Sequence, residues 1–128
     1  MKYVSIVALL IAGIIHLLPV PGVMGVSTVT RLYAIEVNNS NTAILLQHRA
    51  LMFGVLGVLM LCAVALPWLR VTALTVGLFS AASFIAVATA VGGYNPAIAR
   101  VVVADVVASV LLAAGLVAEL WLIGRKVA

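Results

Sequence analysis

The residues best suited to chemistry in this chain are two histidines, one arginine and one aspartate. His48 and Arg49 are adjacent, whereas His16 and Asp105 lie in distant segments. Imidazole and carboxylate groups can take or give a proton near neutral pH, and a guanidinium group binds the oxygens of carboxylates and phosphates. These four residues therefore suit either acid–base chemistry or the binding of a polar headgroup, provided that the fold brings them together.

These four residues lie in or beside long apolar segments, which the composition predicts to be helices. Of the 128 residues, 66% are hydrophobic and 8% are charged, and the mean hydropathy is +1.37. A soluble domain of this size cannot bury so much apolar surface, whereas continuous apolar segments of about 20 residues match the thickness of a bilayer. The sequence therefore predicts an all-α, antiparallel four-helix transmembrane bundle that forms a single domain, 1–128. The predicted helices cover about 3–20, 43–69, 71–91 and 97–124, and an interfacial loop covers about 21–42.

Four crossings bring most of the polar residues to one face of the membrane. His16 lies at the end of the first predicted helix, Arg49 in the first turns of the second, and Asp105 in the first turns of the fourth. The two loops at that face add further polar side chains. The predicted ligand-binding residues are His16, Arg31, Glu36, His48, Arg49, Tyr94, Asn95, Arg100 and Asp105.

Helical periodicity predicts which sides of the first and fourth helices face the interior. Residues separated by three or four positions share a face, and ionisable groups in spanning helices usually face the interior of the bundle. The expected inner faces are Ser5, Leu9, Ala12, Gly13 and His16 in the first helix, and Asp105, Ser109, Leu112, Leu116 and Glu119 in the fourth. Glu119 falls in the opposite leaflet, where Lys126 or Arg70 is its expected partner.

The basic residues indicate orientation rather than nucleic-acid binding. The net charge is +4, but no basic run or aromatic groove accompanies it, so no nucleic-acid partner is expected. Basic residues concentrate on the cytoplasmic side of membrane proteins, and here they slightly favour the side of the termini. The residues on that side are Lys2, Arg70, Arg125 and Lys126, and those on the other are Arg31, Arg49 and Arg100. We therefore expect a bacterial inner-membrane protein with both termini in the cytoplasm.

The candidate residues also have structural interpretations. Arg49 lies at a depth comparable to that of Asp105 and could form a structural ion pair with it, with Arg100 as a rival partner. His16 and His48 could ligate a b-type haem between two helices. The primary expectation, however, is that the protein has no cofactor. A metal site is not expected, because neither histidine has a third ligand at helical spacing.

Small residues predict close packing of helices. Ala82, Ala86 and Ala90 recur every four positions, a pattern that allows another helix to approach closely. Gly54, Gly57 and Gly77 suit the same purpose. These stripes favour self-association into a homo-oligomer.

Two short segments resemble a known group of proteins. The segment from His48 to Gly57, HRALMFGVLG, and the basic-then-acidic start of the fourth helix, Arg100 to Asp105, resemble the corresponding parts of small bacterial DoxX-like membrane proteins. Most members of this group have no assigned function, and some occur beside redox or respiratory partners. The resemblance implies a four-helix membrane fold and an accessory role in a larger membrane complex. It transfers no catalytic residue.

Three functional hypotheses follow from the sequence. The leading one is a non-enzymatic protein that binds a lipid-like or quinone-like molecule, or a partner membrane protein, at the polar cluster. The second is a small membrane enzyme that uses His48 or Asp105 as a general acid–base on an amphiphilic substrate. The third is a proton-linked carrier built on the face shared by Asp105 and Glu119.

Overall fold

The protein is an all-α bundle, as the sequence predicts. The structure, a computed structural model, describes residues 2–127, with side chains from 3 to 125. Its α-helices are α1 (Lys2–Leu17), α2 (Val26–Tyr33), α3 (Ser40–Ala65), α4 (Arg70–Val91) and α5 (Pro96–Val127). Short 3₁₀ turns at Val20–Met24 and Pro67–Leu69 follow α1 and α3.

Four segments in the described part of the chain are long and apolar enough to cross a bilayer. They are Tyr3–Met24, Ser40–Ala65, Pro67–Val91 and Pro96–Arg125. At 1.5 Å per residue, the 26 residues of α3 extend about 39 Å, which exceeds the ~30 Å hydrocarbon core of a bilayer. The chain is therefore an integral membrane protein with four spanning helices.

Prolines explain where the structure departs from the predicted helix boundaries. The second spanning helix ends at Ala65 rather than near 69, because Pro67 lacks an N–H and Leu66 adopts an extended conformation. The Arg70 side chain then donates from Nε to the Ala63 carbonyl (3.3 Å) and from Nη2 to the Val64 carbonyl (3.1 Å). Arg70 thus satisfies carbonyl groups that the end of α3 leaves without helical partners.

The predicted interfacial loop contains a packed helix. The Val29 side chain is 1% exposed and the Tyr33 side chain 5%, and their spacing of four residues puts both on one face of α2. Just before α2, Gly22 lies so close to Ala50 of α3 that a Cβ on Gly22 would be 3.2 Å from the Ala50 Cβ. The segment is therefore anchored to the end of the bundle where α1 ends and α3 and α5 begin.

Glycines allow the spanning helices to approach closely, as predicted for Gly57. A Cβ on Gly57 would lie 2.8 Å from Leu17 Cγ and 3.0 Å from the Gly13 carbonyl oxygen, so α1 and α3 nearly touch at their backbones. The alanine stripe on α4 behaves differently. Ala82, Ala86 and Ala90 are exposed, so this stripe does not pack against the other helices of the bundle.

The close approach at Gly57 predicts a large effect of added volume. We expect Gly57→Val to lower the free energy of unfolding by about 1–3 kcal/mol, because added atoms force side chains and backbone apart. Gly124→Val is the matched control, since a Cβ at Gly124 meets no atom within 4 Å. Unfolding of both variants in the same detergent tests this, and equal stabilities would contradict the close contact.

Candidate functional site

His16 presents an unused nitrogen inside the bundle. Its side chain is 1% exposed, and Nδ1 lies 2.9 Å from the Ala12 carbonyl oxygen, one turn earlier in α1. A carbonyl oxygen only accepts, so Nδ1 carries the proton and Nε2 of the neutral ring is an acceptor. Among the described residues, the buried Nε2 atom has no hydrogen-bond partner.

Arg49 is held by aromatic rings instead of a carboxylate. Its guanidinium carbon lies 4.8 Å from the centroid of the Phe84 ring, 4.9 Å from that of Phe53 and 5.7 Å from that of Tyr33. Such cation–π contacts are worth about 2 kcal/mol or more when the cation is desolvated, but they use the ring faces and leave N–H donors free. The Nη2 atom of Arg49 is buried and lacks an acceptor in the described chain.

Asp105 supplies the third unused atom. Its side chain is 4% exposed, and its buried Oδ2 atom has no donor among the residues described. The predicted ion pair with Arg49 is therefore not formed by these two atoms, although both residues face one cavity. Ser109 lies one turn further along α5, and its buried Oγ atom also lacks a partner there.

The three side chains meet at a cavity of about 350 Å³. Its wall comes from the end of α1, the first turns of α3 and α5, and α2, which covers it. Arg31 and Arg100 line the same cavity and are exposed, so they lie at its edge. We call this space the polar cavity. It is lined by Ile15, His16, Leu18, Pro19, Arg31, Leu32, Tyr33, Arg49, Phe53, Ala97, Arg100, Val101, Ala104 and Asp105.

Asn95 holds the cover of the polar cavity in place. Its Nδ2 atom donates to the Tyr33 carbonyl (2.9 Å) and to the Ala34 carbonyl (3.1 Å) at the end of α2, and its Oδ1 atom accepts from the Ile98 backbone N–H (2.9 Å). One side chain therefore caps the start of α5 and joins it to α2. Asn95 is a positioning residue here and does not line the cavity.

The structure brings together some of the predicted ligand-binding residues and not others. His16, Arg31, Arg49, Arg100 and Asp105 all line the polar cavity. The remaining four do not: His48 is exposed on α3, Glu36 accepts a hydrogen bond of 3.4 Å from Asn38 at the surface, Tyr94 is 41% exposed, and Asn95 has the role described above. The two histidines therefore do not meet at this site, because adjacent residues of a helix point about 100° apart and α3 directs Arg49 inward.

Tyr33 is a site residue that the sequence did not predict. It is buried, and its ring contacts Arg49. The spacing between Val29 and Tyr33 was the available signal, since it predicts one apolar face on a short helix.

The buried phenol predicts an alkaline titration. Burial raises the pKa of Tyr33 above its ordinary value of 10.0, with the Arg49 charge opposing the rise and the Asp105 charge adding to it. The stability that neutral Tyr33 contributes is thus present below pH 10 and lost as the pH rises through its folded pKa. We expect the difference between the near-ultraviolet titrations of wild type and Tyr33→Phe to show a midpoint above 10. A midpoint at or below 10 would contradict this burial.

Glu119 has a partner that the sequence did not predict, Ser5. The Ser5 hydroxyl donates to Glu119 Oε2 at 2.6 Å, and both side chains are buried between α1 and α5. Arg70 instead binds the carbonyls at the end of α3, and the Lys126 side chain lies outside the described residues. The predicted inner faces of the first and fourth helices are therefore buried at both ends. His16 and Asp105 lie at one end, and the hydrogen-bonded Ser5 and Glu119 lie at the other.

Comparison with known proteins adds no relative. No protein-family model, curated protein or solved structure matches the chain. The resemblance to DoxX-like proteins thus remains a prediction from two short motifs.

Proposed function

We propose that this protein binds the polar head of a lipid-like or quinone-like molecule in the polar cavity. The observation that carries the proposal is the convergence of three buried polar atoms that have no hydrogen-bond partner among the described residues: His16 Nε2, Arg49 Nη2 and Asp105 Oδ2. A buried polar atom left without a partner costs about 1–3 kcal/mol. A ligand that supplies the partners removes this cost and gains binding free energy.

The three atoms define what the ligand head must carry. Arg49 Nη2 is a donor and requires an acceptor oxygen, such as a carbonyl, carboxylate or phosphate oxygen. His16 Nε2 is an acceptor and requires a hydroxyl or another donor. A head with an acceptor oxygen and a hydroxyl group satisfies both, and Asp105 offers a second position for the hydroxyl.

The position of the cavity favours a ligand that comes from the membrane. Arg49 and Asp105 each lie nine residues from the start of their helix, or about 14 Å along it, in the first half of a spanning segment. Both charges are in a spanning segment, where ionisable groups usually mark functional sites. With the bias of basic residues described above, we place the protein in a bacterial inner membrane with both termini in the cytoplasm and the polar cavity on the opposite side.

The two histidines provide a matched test. We expect His16→Ala to lose most of the amphiphile that copurifies with wild type in a mild detergent, because it removes the only imidazole among the residues lining the cavity. His48→Ala removes the same group from an exposed position and should retain that amphiphile. Mass spectrometry of the extracted small molecules, normalised to protein, makes the comparison. Equal amounts in wild type and both variants would contradict the proposal.

One observation favours a second function, acid–base chemistry on an amphiphilic substrate. His16 Nε2 and Asp105 Oδ2 are both free to exchange a proton with a molecule in the cavity. His16 then takes the role that the sequence analysis gave to His48. If the protein is an enzyme, Asp105→Asn should still bind the copurified amphiphile but should no longer convert it. The bound molecules should then differ chemically between wild type and Asp105→Asn. Identical bound molecules in the two proteins would count against catalysis.

A further inference from the structure

A second cavity shares a wall with the polar cavity. It has a volume of about 330 Å³ and lies between α3 and α4. Arg49 and Phe53 line both cavities, so they form the common wall. We call this second space the α3–α4 groove. Its lining residues are Arg49, Met52, Phe53, Leu56, Ser80, Ser83, Phe84 and Val87.

The position of the groove follows from the packing of α4. Lower in the bundle, α3 and α4 meet where Met60 lies against Gly77, and a Cβ on Gly77 would collide with the Met60 side chain. The groove begins one turn beyond this contact, at Leu56 and Ser80, and continues toward the end of the bundle that carries α2. The two helices thus leave a lateral space directly beside Arg49.

The lining of the groove is mostly apolar and suits hydrocarbon. The Ser83 hydroxyl donates to the Ser80 carbonyl at 2.9 Å, so it is satisfied within α4. Within the described chain, Arg49 Nη2 is the one buried polar side-chain atom of this lining that lacks a partner. Met52, Leu56, Phe84 and Val87 present apolar surface. By comparison with an apolar cavity of about 150 Å³ that holds benzene, 330 Å³ accommodates roughly 13 carbon atoms.

The charged residues around the shared wall favour a ligand of negative charge. Three arginines line the polar cavity, Arg31, Arg49 and Arg100, against one carboxylate, Asp105. With His16 neutral, the described lining carries a net charge of 3 − 1 = +2, so an anion is favoured over a neutral or cationic head.

We infer that the ligand is an amphiphile with an anionic oxygen head in the polar cavity and a hydrocarbon chain in the α3–α4 groove, with Arg49 binding the head where the two spaces meet. This inference rests on the proposed function and deepens it. The hydrocarbon chain of the ligand leaves its head beside Phe53, whose ring borders both spaces. The bilayer solvates a hydrocarbon chain as well as the groove does, so the head supplies most of the affinity and the groove determines where the chain lies.

A photo-crosslinking experiment tests where the chain lies. The probe is hexadecyl phosphate with a diazirine in the middle of its chain, added to the full-length protein in nanodiscs of neutral lipid. Hexadecanol with the same diazirine is the control that lacks the anion. We expect peptides containing Met52, Leu56 or Val87 to be labelled at least 10-fold more by the phosphate probe than by the alcohol, and an excess of unlabelled dodecyl phosphate to remove this labelling. Inorganic phosphate at the same concentration should remove little of it, because a membrane-inserted chain concentrates the head at the site.

Two substitutions on α4 form a matched pair for the same probe. Ser83→Trp fills the groove and is expected to lower the groove labelling at least 10-fold, whereas Ala82→Trp adds the same side chain on the exposed face and should not. Butyl phosphate, whose chain is too short to occupy the groove, should still raise the melting temperature of Ser83→Trp. This result shows that the variant is folded and that its head site is intact.

The outcomes separate this inference from the proposed function. Labelling that depends on Arg49 but is distributed over the outer surface, for example at Val103 and Val110, would overturn the groove and leave the head site standing. Labelling that is identical in wild type and Arg49→Gln, at any position, would overturn both.

Discussion

The Arg49→Gln variant is expected to bind dodecyl phosphate at least 30-fold more weakly than wild type. Removing one partner of a buried, charge-assisted hydrogen bond costs about 2–5 kcal/mol, and 1.4 kcal/mol corresponds to a factor of ten. Glutamine keeps an amide donor of similar polarity but loses the charge and the cation–π contacts with Phe53, Phe84 and Tyr33. The apparent dissociation constant follows from the rise in melting temperature with ligand concentration.

Arg125→Gln is the control for the loss of charge. Arg125 also lies over an aromatic ring, 4.7 Å from the centroid of Trp121, but it is exposed and at the opposite end of the bundle. This variant should bind dodecyl phosphate as wild type does. A similar loss of affinity in both variants would show that overall charge, rather than a defined head site, attracts the anion.

The second large effect concerns stability, and its sign distinguishes a binding site from a structural ion pair. We expect the double variant Arg49→Met, Asp105→Leu to be more stable than ligand-free wild type by about 1–4 kcal/mol, because apolar side chains of similar size avoid the cost of burying polar atoms that have no hydrogen-bond partner. Both Arg49 Nη2 and Asp105 Oδ2 lack partners in the described chain. The same variant should show no shift with dodecyl phosphate.

Equilibrium unfolding in a neutral detergent measures this difference. Glu36→Leu with Arg125→Met makes the same kinds of change at exposed positions and should alter the free energy of unfolding by less than about 0.5 kcal/mol. If the cavity double variant is instead several kcal/mol less stable than wild type, the two charges hold the bundle together and the binding site is wrong.

The fold could be predicted from the sequence because the bilayer imposes strong constraints. Apolar length determines the number of crossings, and the parity of crossings places His16, Arg49 and Asp105 at one end of the bundle. Helical periodicity then identifies the inner faces of α1 and α5, where Ser5 and Glu119 meet as buried partners. These inferences depend on regular geometry, which repeats along each helix.

The rest of the site depends on irregular segments and on contacts across the bundle. His48 and Arg49 are adjacent, so composition alone cannot tell which one points inward, and the structure turns Arg49 toward the cavity. α2 lies in a segment that is apolar only in part, and its packing through Val29 and Tyr33 results from contacts with α3. The Asn95 bonds to the end of α2 join residues more than 60 positions apart, and no local pattern predicts such a pair.

The most direct measurement is an experimental structure of wild-type protein purified from its membrane in a mild detergent or in nanodiscs. We expect density for an amphiphile whose head lies within hydrogen-bond distance of His16 Nε2 and Arg49 Nη2, and whose hydrocarbon chain enters the space between α3 and α4. A cavity in which Arg49 turns to bond Asp105, or in which ordered water alone satisfies the three buried atoms, would contradict this expectation.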